Sequence, residues 1–414
     1  MLRLLLLIPT TTYRTADFME AAEKLGVEIV VASDHPNVLE GEFPDNLLTL
    51  DFADPGKSAC AVAELALRNP IHAVVPVDDL TTVVGAAVAQ AIGLRANPVG
   101  AVATTRNKHA TREALGRAGV ASPPYRLFTL TDDPADAARG VGYPCVLKPT
   151  ILAASRGVIR ANDEAEFVAA FRRIAAILRT PEVAALGEGA DQILVEGFIR
   201  GREVALEGLL VDGALRTLAL FDKPDPLDGP FFEETIYVTP SRLPADVQAA
   251  IRRVTGAAAA ALGLRDGPVH AELRVDLDQP GAGPWMIEIA ARSIGGLCSR
   301  TLRFGTGMSL EELILRHALG IEIDGLERER QPAGVMMIPI PRGGVFEAVR
   351  GLEAAEGVPG IEAVTITAHP GQALVPLPEG SRYLGFVFAR AETPEGVEAA
   401  LREAHRRLEF VIAA

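Results

Sequence analysis

The chain has 414 residues, 49% hydrophobic and 23% charged, a globular composition with length enough for two or three cores, which excludes a disordered protein. Forty lysines and arginines stand against 54 aspartates and glutamates; the net charge of −14 would repel a nucleic-acid backbone, so no nucleic-acid partner is expected. Cys60, Cys145 and Cys298 lie far apart with no CxxC, which argues against a disulfide framework or a cysteine zinc site and fits a reducing cytoplasm.

The opening apolar run ends at Pro9, short of a signal segment, and reads as a buried strand; no uncharged run nears the roughly 18 residues of a membrane span. Strand-like and helical stretches then alternate. Leu2 to Ile8, Val27 to Ala32 and Ala73 to Val77 predict strands, with helices near Asp17 to Leu25, Lys57 to Arg68 and up to Ile92. This is the pattern of a parallel sheet covered by helices, whose ligand-bearing loops would be Thr10 to Arg14 and Asp78 to Thr81. From Thr104 helices mix with hairpins. Phe167, Phe171, Ile174 and Leu178 form one helical stripe, and Val247, Ile251, Val254, Ala258 and Leu262 another. Strands are expected at Val204 to Val211 and Ala214 to Phe221, joined by the turn Asp212-Gly213, and at Val269 to Val275 and Trp285 to Ala291. Glu327 to Arg330 and Pro332 read as a linker. Beyond it come strands near Gly334 to Ile338, Val364 to Ala368 and Leu384 to Ala389, and a helix from Thr393 to Leu408.

Two motifs fail on inspection. Asp51-Phe-Ala-Asp-Pro-Gly56-Lys57-Ser58 approaches a P-loop, but Asp51 puts negative charge where phosphate would sit, and a helix start fits better. Asp276, Asp278 and Gly281 suggest a calcium loop until Pro280 and Ile287 take ligand positions; a turn between strands is the better reading. There is no strand followed by GxGxxG, no GxSxG and no HExxH.

Five pieces together suit a nucleotide triphosphate and magnesium. Lys108 lies at the start of a helix, where anions are favoured. Lys148 interrupts an apolar strand and needs a counter-ion, either a phosphate or an internal carboxylate. The small, flexible stretch containing Ser155, Arg156 and Gly157 offers backbone N–H groups to phosphate. From Glu196 through Phe198, Ile199 and Gly201 to Glu203, a strand, a bend and a second strand would wedge a flat base beside Phe198 and a ribose against Glu203. Finally, Glu272 and Glu288 converge if their strands pair, and two buried carboxylates call for a cation between them. The alternative is an internal salt-bridge set of Glu272 and Glu288 with Arg274 and Arg292.

In order and spacing these residues resemble the ATP-grasp superfamily over about residues 1–320. The remainder, with Ile338-Pro-Ile-Pro-Arg342 and Leu377-Pro-Glu-Gly380, is similar to the extra domain of the L-amino-acid ligases. The resemblance implies a mixed α/β and α+β fold. A parallel-sheet domain would span 1–105, a two-part nucleotide clamp 106–325 with its lid at about 120–195, and an α+β domain 326–414. It implies ATP and Mg²⁺ as cofactors. Lys108, Lys148, Ser155, Arg156 and Gly157 would lie on the phosphates, Glu196, Phe198 and Ile199 on adenine, and Glu203 on the ribose. Glu272 and Glu288 would bind magnesium, with Arg292 at the transferring phosphoryl group. It also assigns Glu234, Tyr237, Ser293 and Gly295 to the substrate. Two departures stand out: Tyr237 replaces a histidine of the family, and Ala290 an asparagine that supplies a metal ligand.

The expected reaction joins a small-molecule carboxylate to an amine through an acyl phosphate, in a cytoplasmic protein with no membrane or nucleic-acid partner and with a homodimer as the commonest assembly. A non-catalytic nucleotide-binding protein, or a grasp enzyme acting on a nucleotide precursor or bicarbonate, is the rival expectation.

Overall fold

The computed structural model describes residues 1–279 and 283–413, so part of the turn around Pro280 and Gly281 lies outside the described residues. The expected parallel sheet forms, with strand order Leu47–Thr49, Glu28–Ser33, Arg3–Leu7, Ala73–Pro76. Arg3–Leu7 is buried throughout, as an apolar strand covered on both faces must be. Leu47–Thr49 had no signal in the sequence because three residues are too few to show a period. The near-miss P-loop is a helix start: Asp54 caps Pro55–Arg68 by accepting from the Lys57 N–H at 2.9 Å.

Two antiparallel sheets follow. The smaller runs Tyr125–Thr129, Gln192–Gly197, Cys145–Pro149, Ile159–Ala161, and the helix Glu164–Leu178 buries Phe167, Phe171, Ile174 and Leu178 against it. The larger has eight strands in the order Trp285–Ala290, Gly267–Val275, Arg202–Val211, Ala214–Asp222, Ile236–Thr239, Ala333–Ile338, Gly385–Arg390, Ile361–Ile366. Its hairpin turn is Asp212-Gly213, both at positive φ, as a tight two-residue turn between twisted strands demands.

The last three strands of the large sheet come from beyond residue 332, so the C-terminal segment extends the sheet instead of hanging from a linker. The presumed linker is itself fastened. Glu329 N–H donates to the Arg303 carbonyl at 2.8 Å, and the Glu329 carboxylate pairs with Arg390 at 3.0 Å. Gly334 allows the junction, since a Cβ there would lie 2.6 Å from Val397 of the covering helix Pro394–Arg407 and 2.8 Å from the Tyr237 carbonyl. A small sheet, Ala373–Leu374, Gly344–Arg350, Glu409–Ala413, completes the fold. Among the described residues, no helix is long and apolar enough to cross a membrane.

Candidate active site

The helix Lys108–Arg117 is capped by Asn107, whose side chain accepts from the Ala110 N–H at 3.1 Å. Lys108 is its first residue. Its Nζ donates to the Leu152 carbonyl at 2.6 Å and stands 3.6 Å from Glu288. One turn on, Arg112 is buried, and its Nε donates to Glu196 at 2.7 Å. The other oxygen of Glu196 meets Lys148 Nζ, also at 2.7 Å. The counter-ion of Lys148 is therefore the internal carboxylate. Burial alone would raise the Glu196 pKa, but Arg112 and Lys148 outweigh it and hold the carboxyl below its usual range.

Lys108, Lys148, Leu152 and Glu196 form the upper wall of a cavity of about 670 Å³, counting its mouth, with Arg112 behind Glu196. The lower wall comes from the large sheet. Glu272 and Glu288 are register partners in their antiparallel pair, so their side chains rise from the same face. Both line the cavity with Lys108, Lys148, Ser155, Phe198, Ile199, Glu203 and Glu234. The tightest carboxylate group is Glu203, Glu234 and Glu272, with one oxygen from each within 4.8 Å of the others. Lys223 sits among them, 2.9 Å from Glu203, 3.2 Å from Glu272 and in contact with Glu234. Glu288, the other expected metal ligand, turns toward Lys108. Burial and repulsion from Glu272 raise Glu234 to about 7 despite Lys223, whereas Lys223 and His270 overcome burial to hold Glu272 well below the usual range.

Several expected contacts are replaced by others. Phe198 lines the cavity, but the Arg160 and Arg274 guanidinium carbons lie 4.1 and 4.9 Å from its ring centroid, in the place expected of a base. Glu203 is held by Lys223 and, at 3.1 Å, by Arg274, instead of facing outward for a ribose. Gly201 makes the bend between them, since a Cβ would fall 2.2 Å from the Val275 carbonyl oxygen. Arg156 and Gly157 turn away from the cavity toward residues 378 and 379.

Arg292 does not line the cavity. It is bound to Asp79, Nε and Nη2 at 2.9 and 2.8 Å, so Arg274 and Arg292 do not form the internal set with Glu272 and Glu288. Ser293 is buried and accepts from Arg14 at 2.7 Å. Tyr237 is buried with its ring 5.0 Å from Lys223 Nζ, outside the cavity lining, as is Gly295. Ala290 is the register partner of His270, which bridges Glu207 at 3.1 Å and Glu272 at 3.6 Å. Hydrogen bonds donated to these two carboxylates more than offset burial, raising His270 to about 9.

Sequence reading missed Arg112, Lys223, Glu207 and Asp79. The signal that singled out Lys148, a charge breaking an apolar strand, is equally present at Glu207 within Val204 to Leu210, whereas Lys223 stands past the strand's end at Asp222 and gives no such signal. Arg112 stands one helical turn from Lys108, and Asp79 lies in a loop already marked for ligands.

Family models match this architecture in three places: an ATP-grasp N-terminal domain over residues 19–95, an ATP-grasp domain over 141–301, and an L-amino acid ligase C-terminal domain 2 over 336–413. The chain belongs to the ATP-grasp superfamily. It is similar to the alanine–anticapsin ligase of Bacillus subtilis, 26% identical over 74% of this chain and 67% of the relative. A carnosine synthase of Gallus gallus is 27% identical over 81% of this chain and 38% of the relative. The solved L-amino acid ligase of Bacillus licheniformis superposes with a TM-score of 0.83 at 28% identity, covering 100% of this chain and 99% of that one. Within the superfamily the chain is an ATP-dependent carboxylate–amine ligase.

Proposed function

We propose that the chain activates the carboxylate of an amino acid as an acyl phosphate and passes the acyl group to an amine, releasing an amide of dipeptide type, ADP and phosphate. The observation that carries this reading is the opposite charge surplus of the cavity's two walls. Above, Lys148 and Arg112 share one carboxylate, Glu196; below, Lys223 and Arg274 face three, Glu203, Glu234 and Glu272. The first arrangement favours a triphosphate and the second a cation. The names of the most similar relatives support the substrate class.

Magnesium fits this donor set, because hard cations take carboxylate oxygens, and burial together with repulsion from Glu272 leaves Glu234 short of positive charge. Glu203, Glu234 and Glu272 would hold the ion with Glu288 nearby, and when bound it neutralises charge on the transferring phosphoryl group. Lys108 and Lys148 hold phosphate oxygens. Arg292, bound to Asp79 outside the cavity lining and electrostatically coupled to Glu288, is assigned to the same charge at longer range. A substrate carboxylate oxygen attacks the γ-phosphorus and ADP departs with the bridging electron pair. The amine nitrogen then attacks the acyl carbon, loses a proton and expels phosphate. In this proposal residues 1–105, 106–325 and 326–414 act as front domain, nucleotide clamp and C-terminal domain.

The test is incubation with ATP, Mg²⁺ and a panel of amino-acid pairs, reading phosphate release and product mass. Release that needs both an acyl and an amine partner, with a condensed product, is expected. Turnover only with bicarbonate or a nucleotide precursor, or none at all, overturns the reading.

A further inference from the structure

The loop assigned to the phosphates closes against Leu377-Pro-Glu-Gly380, a stretch to which the chemistry above gives no task. The Gly157 N–H donates to the Pro378 carbonyl at 2.8 Å, and Arg156 Nε to the Glu379 carbonyl at 2.9 Å. Arg173, on the helix Glu164–Leu178 that covers the small sheet, grips the Glu379 carboxylate with two parallel bonds of 2.6 and 2.9 Å. A forked pair of this kind fixes direction as well as distance. Its mutual effect is visible on both groups, since Arg173 lowers the carboxyl pKa and Glu379 raises that of the guanidinium.

The loop needs such support. Ala154, Ser155 and Gly157 have φ of 53, 55 and 75°, left-handed backbone that the first two residues adopt only at a cost, so surrounding contacts must hold it. Farther along the same C-terminal stretch, Tyr383 is within electrostatic reach of Glu234 and Lys223. Three residues thus separate Glu379 in the clasp from Tyr383.

We infer that Glu379 is a positioning residue for ligation: through Arg173 and the phosphate loop it latches the lid to the C-terminal sheet and keeps water from the acyl phosphate. This rests on the ligase reading. Attack on the acyl carbon by the amine gives amide and phosphate; attack by water gives back the carboxylate and phosphate. ATP is spent either way, so a loose latch shows as phosphate released without amide.

The experiment compares wild type, Glu379→Gln, and the reversed pair Arg173→Glu with Glu379→Arg. It reads phosphate released per amide formed, together with hydrogen exchange of residues 150–180 in the presence of a non-hydrolysable ATP analogue. Glu379→Gln, at a half-buried position, should fold normally, exchange faster across the lid and raise the phosphate-to-amide ratio about three- to tenfold. The reversed pair should bring both readings back toward wild type, which a merely structural role for Glu379 would not do. An unchanged ratio overturns the inference, whether or not exchange quickens, and so does failure of the reversed pair. If wild type forms no amide with any pair, the ligase reading fails, and faster exchange in Glu379→Gln still shows the latch.

Discussion

The two walls of the cavity solve one problem in opposite ways. Each buries ions that cannot stand alone, yet on one side Lys148 of the small sheet and Arg112 of the helix Lys108–Arg117 share one carboxylate, Glu196, while the large sheet gathers three carboxylates around Lys223. A balanced set would be satisfied and inert. The mismatch leaves positive charge above and negative charge below, with a cavity between them into which a metal-bound triphosphate brings the complementary charges. Stability and ligand affinity therefore rest on the same groups in both walls, with opposite sign.

The largest effect is expected from removing the counter-charge of the upper wall. Glu196→Gln leaves Lys148 and Arg112 buried and opposed only by each other, which should cost about 3–5 kcal/mol in denaturant unfolding. A loss under about 1 kcal/mol would mean that water reaches this pair in solution. Lys223→Met tests the lower wall and should cost less, about 1–3 kcal/mol, because Glu234, already raised to about 7, relieves the repulsion by keeping a proton. The cost should grow as pH rises and Glu234 ionises. Magnesium should raise the Tm of Lys223→Met more than that of wild type, since the ion no longer competes with an ammonium. Equal shifts would separate Lys223 from the cation site.

Much of this was legible in the residues and some was not, for physical reasons. The convergence of Glu272 and Glu288 followed from period two and a hairpin, because strand pairing fixes which side chains share a face. The helix start at Lys108 followed from the continuation through Ala114 and Leu115 to a stop at Gly119, and the Asn107 cap fixes it in the structure. Partner choice did not follow. Arg292 pairs with Asp79, 213 residues away, and Arg14 with Glu311 and Ser293, because the front domain docks against the large sheet and no local pattern encodes docking. The role expected of Phe198 met a similar limit, since Arg160, two strands away in the small sheet, and Arg274, from the large sheet, both reach its ring. The C-terminal strands were found, but their addition to the large sheet was not, as the turn from a presumed linker into a sheet edge depends on Gly334 fitting beside Val397.

The front domain offers a smaller test of how the walls are held. Burial would raise the Asp79 pKa, but Arg292 and Arg106 prevail and hold it well below its ordinary 3.8. A carboxyl depressed on folding adds stability that is complete above its unfolded pKa and is lost as pH falls below it. Asp79→Asn should therefore be less stable than wild type by about 1–2 kcal/mol at pH 7, with the gap closing below about pH 4. A gap independent of pH would show that packing, rather than charge, joins Arg292 to the front domain. Turnover should fall along with stability, because Arg292 loses its anchor.

The smallest effect separates the walls by their motions. Cys145 lies on the same strand as Lys148, and Cys298 lies beside the cluster of Lys223 and Glu234. Both thiols are buried, whereas Cys60 is exposed. Burial pushes Cys145 up to about 12 and Cys298 higher still, so at pH 8 only about one Cys145 thiol in 10⁴ is ionised even before access is considered. Native protein should take up one equivalent of a thiol reagent promptly and the other two only as its sheets open. The small sheet has four strands and its own core, while the large one has eight and joins the C-terminal segment, so Cys145 should react before Cys298. A non-hydrolysable ATP analogue that bridges the walls should slow Cys145 by several-fold and leave Cys60 unchanged. If Cys298, in the short helical turn Cys298–Thr301 packed beside the large sheet, reacted first, that side would be the mobile wall, and the lid would have to be sought there.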